Sequence, residues 1–255
     1  MNADLIFIHG MWSRQQVWQD WISSLRSQGF NCLSLDLPGH APEDSDEALA
    51  GMPLQRYVDA VVKLARTCQR PVLIGHSLGG LLAQLAAQHV EVSALVLINS
   101  AVPGQIFPLR PVMLPGLLRP FAQWGLWRKS FRLTPWEANY LVFNQVPASQ
   151  RPALYEQLIA ESGRVAYAVG YGPLNTAGSN RVDLNRLHCP ILALAGGRDR
   201  IIPPGVSRKM AQLYGARMDY REFPRHAHWL LGEAGWQDHV QQVSNWLRLQ
   251  LAPLA

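Results

Sequence analysis

Short, almost continuous apolar runs alternate along this chain with longer segments in which apolar residues recur every three or four positions. The short runs fall at Leu5–Ile8, Cys32–Asp36, Val72–Gly75, Ala94–Asn99, Ile191–Ala195 and Met218–Phe223. Runs of this length without polar alternation predict strands covered on both faces, as in a parallel sheet. Helical spacing covers about Gln15–Gln28, Leu54–Arg70, Leu78–Gln88, Pro204–Tyr214 and Trp236–Leu251. The alternation of the two patterns predicts an α/β fold: a doubly wound, mostly parallel sheet.

One interval breaks the rhythm. After Ile98-Asn99-Ser100 no strand is expected for about ninety residues. Its first part is rich in proline and bulky apolar side chains, among them Phe107, Trp124 and Trp127, and its later part has helical stretches at Pro135–Gln145 and Ser149–Gly163. A structureless loop of this length does not fit a compact domain. The expected organisation is a core of residues 1–101 and 181–255 with a helical cap, 102–180, inserted after the fourth strand. Leaving the sheet after one strand and returning before the next puts the cap over the strand C-terminal ends, where open α/β sheets bind ligands.

Composition narrows the class. A chain of 255 residues, 48% of them hydrophobic, suits one α/β domain with an insertion. No apolar run reaches membrane-spanning length. Met1-Asn2-Ala3-Asp4 lacks the basic start of a secretory signal. Cys32, Cys68 and Cys189 form no CxxC pair and adjoin apolar segments, so free thiols in a reducing cytoplasm are expected. The net charge is +5. Residues 102–179 hold seven of the 23 basic and three of the 18 acidic residues, +4 in all, with no acid between Val102 and Leu133. That excess fits an acidic substrate, a membrane surface or nothing specific; the basic residues are not clustered as a nucleic-acid footprint requires. No histidine or cysteine spacing indicates a metal, and no cofactor motif is present.

Gly75-His76-Ser77-Leu78-Gly79 carries the chemistry. The bare G-x-S-x-G pattern would arise by chance in roughly one chain in ten of this size. Here it follows a strand-like run and opens a helix-like one, which is the context of a nucleophile elbow. A serine hydroxyl needs a base and a group that orients the base. Asp199, just past the Ile191–Ala195 run, is the candidate acid. His226 and His228, after the last strand, are the candidate bases; His228 is preferred because a small residue precedes it and an aromatic follows. The order Ser…Asp…His is the one this architecture uses. The segment Asn99-Ser100-Ala101-Val102 offers no rival carboxylate. Two N–H donors must converge on the developing oxyanion: Leu78, after the serine, and Met11, in the loop after the first strand. His9 is expected to hold that loop.

Together these segments resemble the α/β-hydrolase superfamily. The matching pieces are Phe7–Trp12, Asp36-Leu37-Pro38-Gly39-His40, Gly75–Gly80, Cys189–Leu192 leading to Gly197–Pro203, and Ala227-His228-Trp229. The resemblance covers nearly the whole chain except the cap. It implies Ser77 as nucleophile, His228 as base, Asp199 as its orienter, and Leu78 and Met11 as oxyanion donors. Family members usually carry a hairpin before the strand at which this chain begins, so a sheet of about six strands is expected. The family usually has glycine where Ala227 stands. A serine nucleophile excludes the dehalogenase branch, which uses an aspartate.

The expected activity is hydrolysis of a carboxylic ester, or a related acyl compound, with an apolar group, through an acyl-enzyme on Ser77 and without a cofactor. Trp12, Phe107, Trp124 and Trp127 are candidate pocket liners. A cofactor-free lyase or C–C bond hydrolase on the same scaffold, and a ligand sensor with a vestigial triad, are the alternatives. The expected partner is a small molecule, with no nucleic acid and no membrane span.

Overall fold

A computed structural model describes residues 3–252. Met1 and Asn2, half of the segment read for a leader, lie outside the described residues. The chain begins with β1 (Asp4–Ile8), α1 (Gln19–Ser27), β2 (Asn31–Leu35), α2 (Leu54–Ala65), β3 (Pro71–His76), α3 (Leu78–Ala86) and β4 (Ala94–Ile98). Between β4 and the next strand of the main sheet lie α4 (Leu114–Ala122), β5 (Ser130–Phe131), α5 (Pro135–Leu141), α6 (Arg151–Glu156), β6 (Glu161–Ser162) and α7 (Gly163–Gly170). The chain closes with β7 (Ile191–Gly196), α8 (Pro204–Tyr214), β8 (Met218–Phe223) and α9 (Trp236–Leu251).

The main sheet has six strands in the order β2-β1-β3-β4-β7-β8, every pair parallel. The apolar runs lack polar alternation because each face of the sheet has its own core. Ile6, Ile8, Leu73, Leu95 and Leu97 pack with α2, α3 and α8 on one side. Their neighbours Leu5, Phe7, Val72, Val96 and Ile98 pack with Trp18, Trp21, Val243 and Leu247 on the other. Alternate residues point to opposite faces, so a strand buried on both must be apolar throughout.

The segment after β4 departs from expectation in two ways. It contains a short antiparallel ladder, pairing Ser130 with Ser162 and Phe131 with Glu161, where no strand was expected. The helix expected over Ser149–Gly163 stops at Glu156 and a new one begins at Gly163. Tertiary hydrogen bonds explain the break. The Ile159 N–H donates to the Trp12 carbonyl and the Gly163 N–H to the Lys129 carbonyl, each at 2.9 Å, and the Ser162 hydroxyl caps α7 by accepting from the Val165 N–H. Helix α4 was hidden by its prolines: Pro115 is tolerated in the first turn, and Pro120 lies inside the helix shortly before its end.

Candidate active site

Ser77 joins β3 to α3 with φ 53° and ψ −119°, a backbone conformation that side-chain-bearing residues avoid. The flanking glycines are demanded by contact. A Cβ on Gly75 would fall inside the Gly79 carbonyl, and one on Gly79 inside the carbonyls of Ile8 and His9. The turn is clamped: the Ser77 N–H donates to the Ile98 carbonyl at 3.0 Å, and its carbonyl accepts from Gly80 at 3.0 Å and Ala101 at 2.9 Å. Every residue of α3 is buried, so the elbow stands on a rigid base.

Asp199 lies just past β7 and His228 just past β8, and both are buried. His228 Nδ1 donates to Asp199 Oδ2 at 2.7 Å. The other carboxylate oxygen accepts from the Ile201 N–H at 2.7 Å and the Ile202 N–H at 2.9 Å. A carboxylate saturated in this way cannot rotate, and it fixes the His228 proton on Nδ1, leaving Nε2 as a free acceptor. His76, beside the serine, donates from Nε2 to the His228 carbonyl at 2.9 Å, with the two rings 4.9 Å apart. Burial drives the His76 pKa down to about 3, so this neighbour is neutral. No hydrogen bond joins Ser77 Oγ to His228 among the described residues; such bonds commonly tighten only when substrate binds.

His226 points elsewhere. Its Nε2 bonds the Ala234 carbonyl at 3.0 Å and its ring packs on His239 at 4.7 Å. The structure therefore pairs Asp199 with His228 and leaves the alternative base outside the arrangement. Ala227, the departure from family glycine, is fully buried without positive φ.

Two positioning groups were not foreseen. The Asn99 amide donates to the Ala227 and His228 carbonyls, both at 2.8 Å, while its oxygen accepts from the Gly196 N–H at 2.7 Å. Glu233 accepts from the N–H groups of Ala227 at 2.8 Å and Trp229 at 3.2 Å. Burial raises its pKa. Together they grip the backbone on both sides of His228. Asn99, read only as lacking a carboxylate, carried one available signal: asparagine tolerates positive φ, and Asn99 has φ 43°. Trp12, Ser77 and Asn99 are the non-glycine residues with positive φ among those described. They follow the C-terminal ends of β1, β3 and β4, which are adjacent strands, so backbone strain is concentrated on this one rim.

The loop after β1 lies against the serine, since a Cβ on Gly10 would stand 3.0 Å from Ser77 Cβ. His9 holds this loop: Nδ1 donates to the Gly10 carbonyl at 2.9 Å and Nε2 accepts from the Leu37 N–H at 3.1 Å. Burial, with His40 alongside, lowers its pKa to about 3. The Gly10–Met11 peptide is trans, so with its carbonyl turned to His9 its N–H points away from that ring. The Leu78 N–H begins α3 and has no intrahelical acceptor.

Residues 5–241 match the family model described as Alpha/beta hydrolase family. The chain belongs to this family. Among relatives, the pimeloyl-[acyl-carrier protein] methyl ester esterase of Pectobacterium carotovorum is 29% identical over 219 residues, covering 83% of this hydrolase and 80% of that protein. The pyrethroid hydrolase of Sphingobium wenxiniae is 30% identical over 117 residues, 45% of this chain and 41% of that protein's length. In structure, tomato methylketone synthase I superposes with a TM-score of 0.77 at 12% identity, covering 98% of this chain and 99% of its own. A pyrethroid hydrolase from Sphingobium faniae superposes with a TM-score of 0.72 at 19% identity over 98% of both chains.

In this alpha/beta hydrolase a cavity of about 70 Å³ lies between the loops after β1 and β7 and the segment after β4, walled by Met11, Trp12, Leu117, Phe121, Phe131 and Ile201; Ser77, Asp199 and His228 do not line it. Of the four expected liners only Trp12 reaches it. Phe107 and Trp124 are exposed, and Trp127 is half-buried between Trp124 and Tyr167. Bulk and apolarity marked these aromatics, but packing turned them to the surface. A wider depression, about 520 Å³, opens between Ala87–Ser93 and Arg186–Pro190. It lies at the N-terminal ends of the strands, away from Ser77.

Proposed function

We propose that this alpha/beta hydrolase is a serine esterase in which residues 102–180 cap the site and help select an apolar acyl or aryl group. Ser77 Oγ attacks the ester carbonyl as His228 Nε2 takes its proton. The oxyanion accepts hydrogen bonds from the N–H groups of Leu78 and Met11. Collapse of the tetrahedral adduct breaks the bond to the alcohol, which leaves with the proton from His228. Water, deprotonated by His228, then attacks the acyl-enzyme, releases the acid and returns the proton to Ser77. Asp199 holds the imidazole in the required tautomer and stabilises its transient positive charge.

The observation that carries the reading is the 2.7 Å bond from His228 to a fully engaged Asp199, on the rim where Ser77 is held at positive φ. The relative named as a methyl ester esterase supports ester chemistry. The apolar walls of the cavity support an apolar substrate group. Three unpaired cysteines fit a reducing compartment. The test is stopped-flow hydrolysis of p-nitrophenyl esters of increasing acyl length. A burst of one p-nitrophenolate per chain, absent in Ser77→Ala, is expected; turnover retained in Ser77→Ala would overturn the nucleophile assignment.

A further inference from the structure

Apart from Arg119, helix α4 is apolar on both its inner and its outer face, which a surface helix is not when water is its only outer neighbour. Its inner face walls the cavity through Leu117 and Phe121. Gly116 packs so closely on Leu141 of α5 that a Cβ would collide with it. The outer face carries Leu114, 52% exposed, and Leu118, 67% exposed. The helix has one charged residue, Arg119, and that is paired with Glu137 at 2.7 Å. Exposed apolar surface continues beyond the helix to Trp124, 86% exposed. Trp124 packs edge-on against Trp127, which packs on Tyr167, which in turn meets Phe121 of α4. The rings thus form one continuous patch with the helix.

Along this stretch of chain the charges are of one sign, and the acid packed against it, Glu137, is buried and engaged by Arg119. From Val102 to Arg132 there are five basic residues and no acidic one. Arg110, Arg128, Lys129 and Arg132 make no ion pair among the described residues. Lys129 Nζ bonds the Trp124 carbonyl at 3.4 Å, which sets a cation beside the most exposed aromatic. Tryptophan and leucine flanked by unpaired Lys and Arg are the composition of a surface that rests in the headgroup layer of a bilayer. Cations without acidic neighbours select anionic lipid.

We propose that the outer face of α4 and the turn from Trp124 to Lys129 form a peripheral docking surface for an anionic lipid bilayer. No helix among the described residues is long and apolar enough to cross a membrane, so the contact is with the surface layer. Because the inner face of the same helix walls the cavity, docking would bring that cavity to the lipid boundary.

The test is co-sedimentation of the full chain with phosphatidylglycerol vesicles and, separately, with phosphatidylcholine vesicles, across a salt series. It does not depend on hydrolysis. Binding to the anionic vesicles, weakened by salt and at least about tenfold stronger than to the zwitterionic ones, is expected. Leu118→Ser and Trp124→Ser should each lower the partition coefficient about tenfold, and Arg128→Ser/Lys129→Ser should remove most of the preference for anionic lipid. These side chains face solvent, and thermal melting checks that each variant folds. Absence of binding to anionic vesicles, equal binding to both lipids, or binding untouched by these substitutions would overturn the proposal. So would a dimer in light scattering that Leu118→Ser converts to monomer, because the patch would then seat a second copy.

Discussion

The rim of the sheet and the segment between β4 and β7 are built on opposite terms. On the rim, positions are over-determined. Ser77 is fixed by three backbone hydrogen bonds and two glycine contacts, Asp199 by three donors, and the His228 backbone by Asn99 and Glu233. The intervening segment consists of short helices and a two-residue ladder, and around the cavity its contacts are mainly apolar. Directional bonds hold groups to fractions of an ångström, as a reaction needs. Apolar packing fixes volume and leaves shape adjustable. Under the proposed function, that difference assigns the chemistry to the rim and the selectivity to the segment above it.

Substitutions that strike the rim should therefore cost rate, in proportion to how directly they touch the His228–Asp199 pair. Asp199→Asn keeps the shape but frees the tautomer, and kcat for a p-nitrophenyl ester should fall about 1,000–10,000-fold with little change in KM. Gly79→Ala drives a Cβ into the carbonyls of Ile8 and His9. It should lower kcat about 100-fold and destabilise by about 2–4 kcal/mol in urea melts. Asn99→Ala leaves the buried Gly196 N–H unpaired and loosens the His228 loop, with an expected loss of about tenfold in kcat and about 1–3 kcal/mol in stability.

In the segment above, the expected effects are smaller and differ in kind. Phe121→Ala enlarges the cavity and should raise KM for long acyl chains by up to about tenfold while leaving kcat for acetyl esters within about twofold. A rate loss as large as that of Asn99→Ala would break the division between the two regions.

The smallest effect concerns their junction. His40, on the loop after β2, and Glu161, on β6, are both buried and bond at 3.2 Å, with Tyr57 donating to the same carboxylate at 2.8 Å. Burial disfavours the charged imidazole, but the Glu161 carboxylate outweighs it and the His40 pKa is raised. Because the folded pKa lies above the unfolded value, the stability from this pair is complete below about pH 6.5. It is lost as the pH rises through the folded pKa. Melting temperatures should fall over that window in the natural protein and change less in His40→Gln.

Legibility in the sequence follows the same division. The strands could be read because two-sided burial removes polar alternation, and Met218–Phe223, Pro204–Tyr214 and Trp236–Leu251 were bounded as found. The turn at Ser77 and the pairing of Asp199 with His228 could be read because short-range motifs and chain order point to them. Asn99 could not, since its bonds reach Gly196, Ala227 and His228, which only the fold brings near; Glu233 bonds within six residues of itself, but no motif marks a carboxylate that folds back on the backbone of its own loop. In the intervening segment, local pattern was misleading. Prolines disguised α4, the Ile159–Trp12 and Gly163–Lys129 bonds ended a helix that spacing alone would have continued, and Trp124 looked like a pocket wall but stands in solvent.

The central claim is that the Asp199-held His228 activates Ser77. Labelling with a fluorophosphonate, followed by mass spectrometry of the digested protein, tests it most directly. A single adduct on Ser77 is expected, formed at the natural rate in His226→Ala and slowed at least about 1,000-fold in His228→Ala. An adduct on another residue, or full labelling in His228→Ala with loss in His226→Ala, would contradict it.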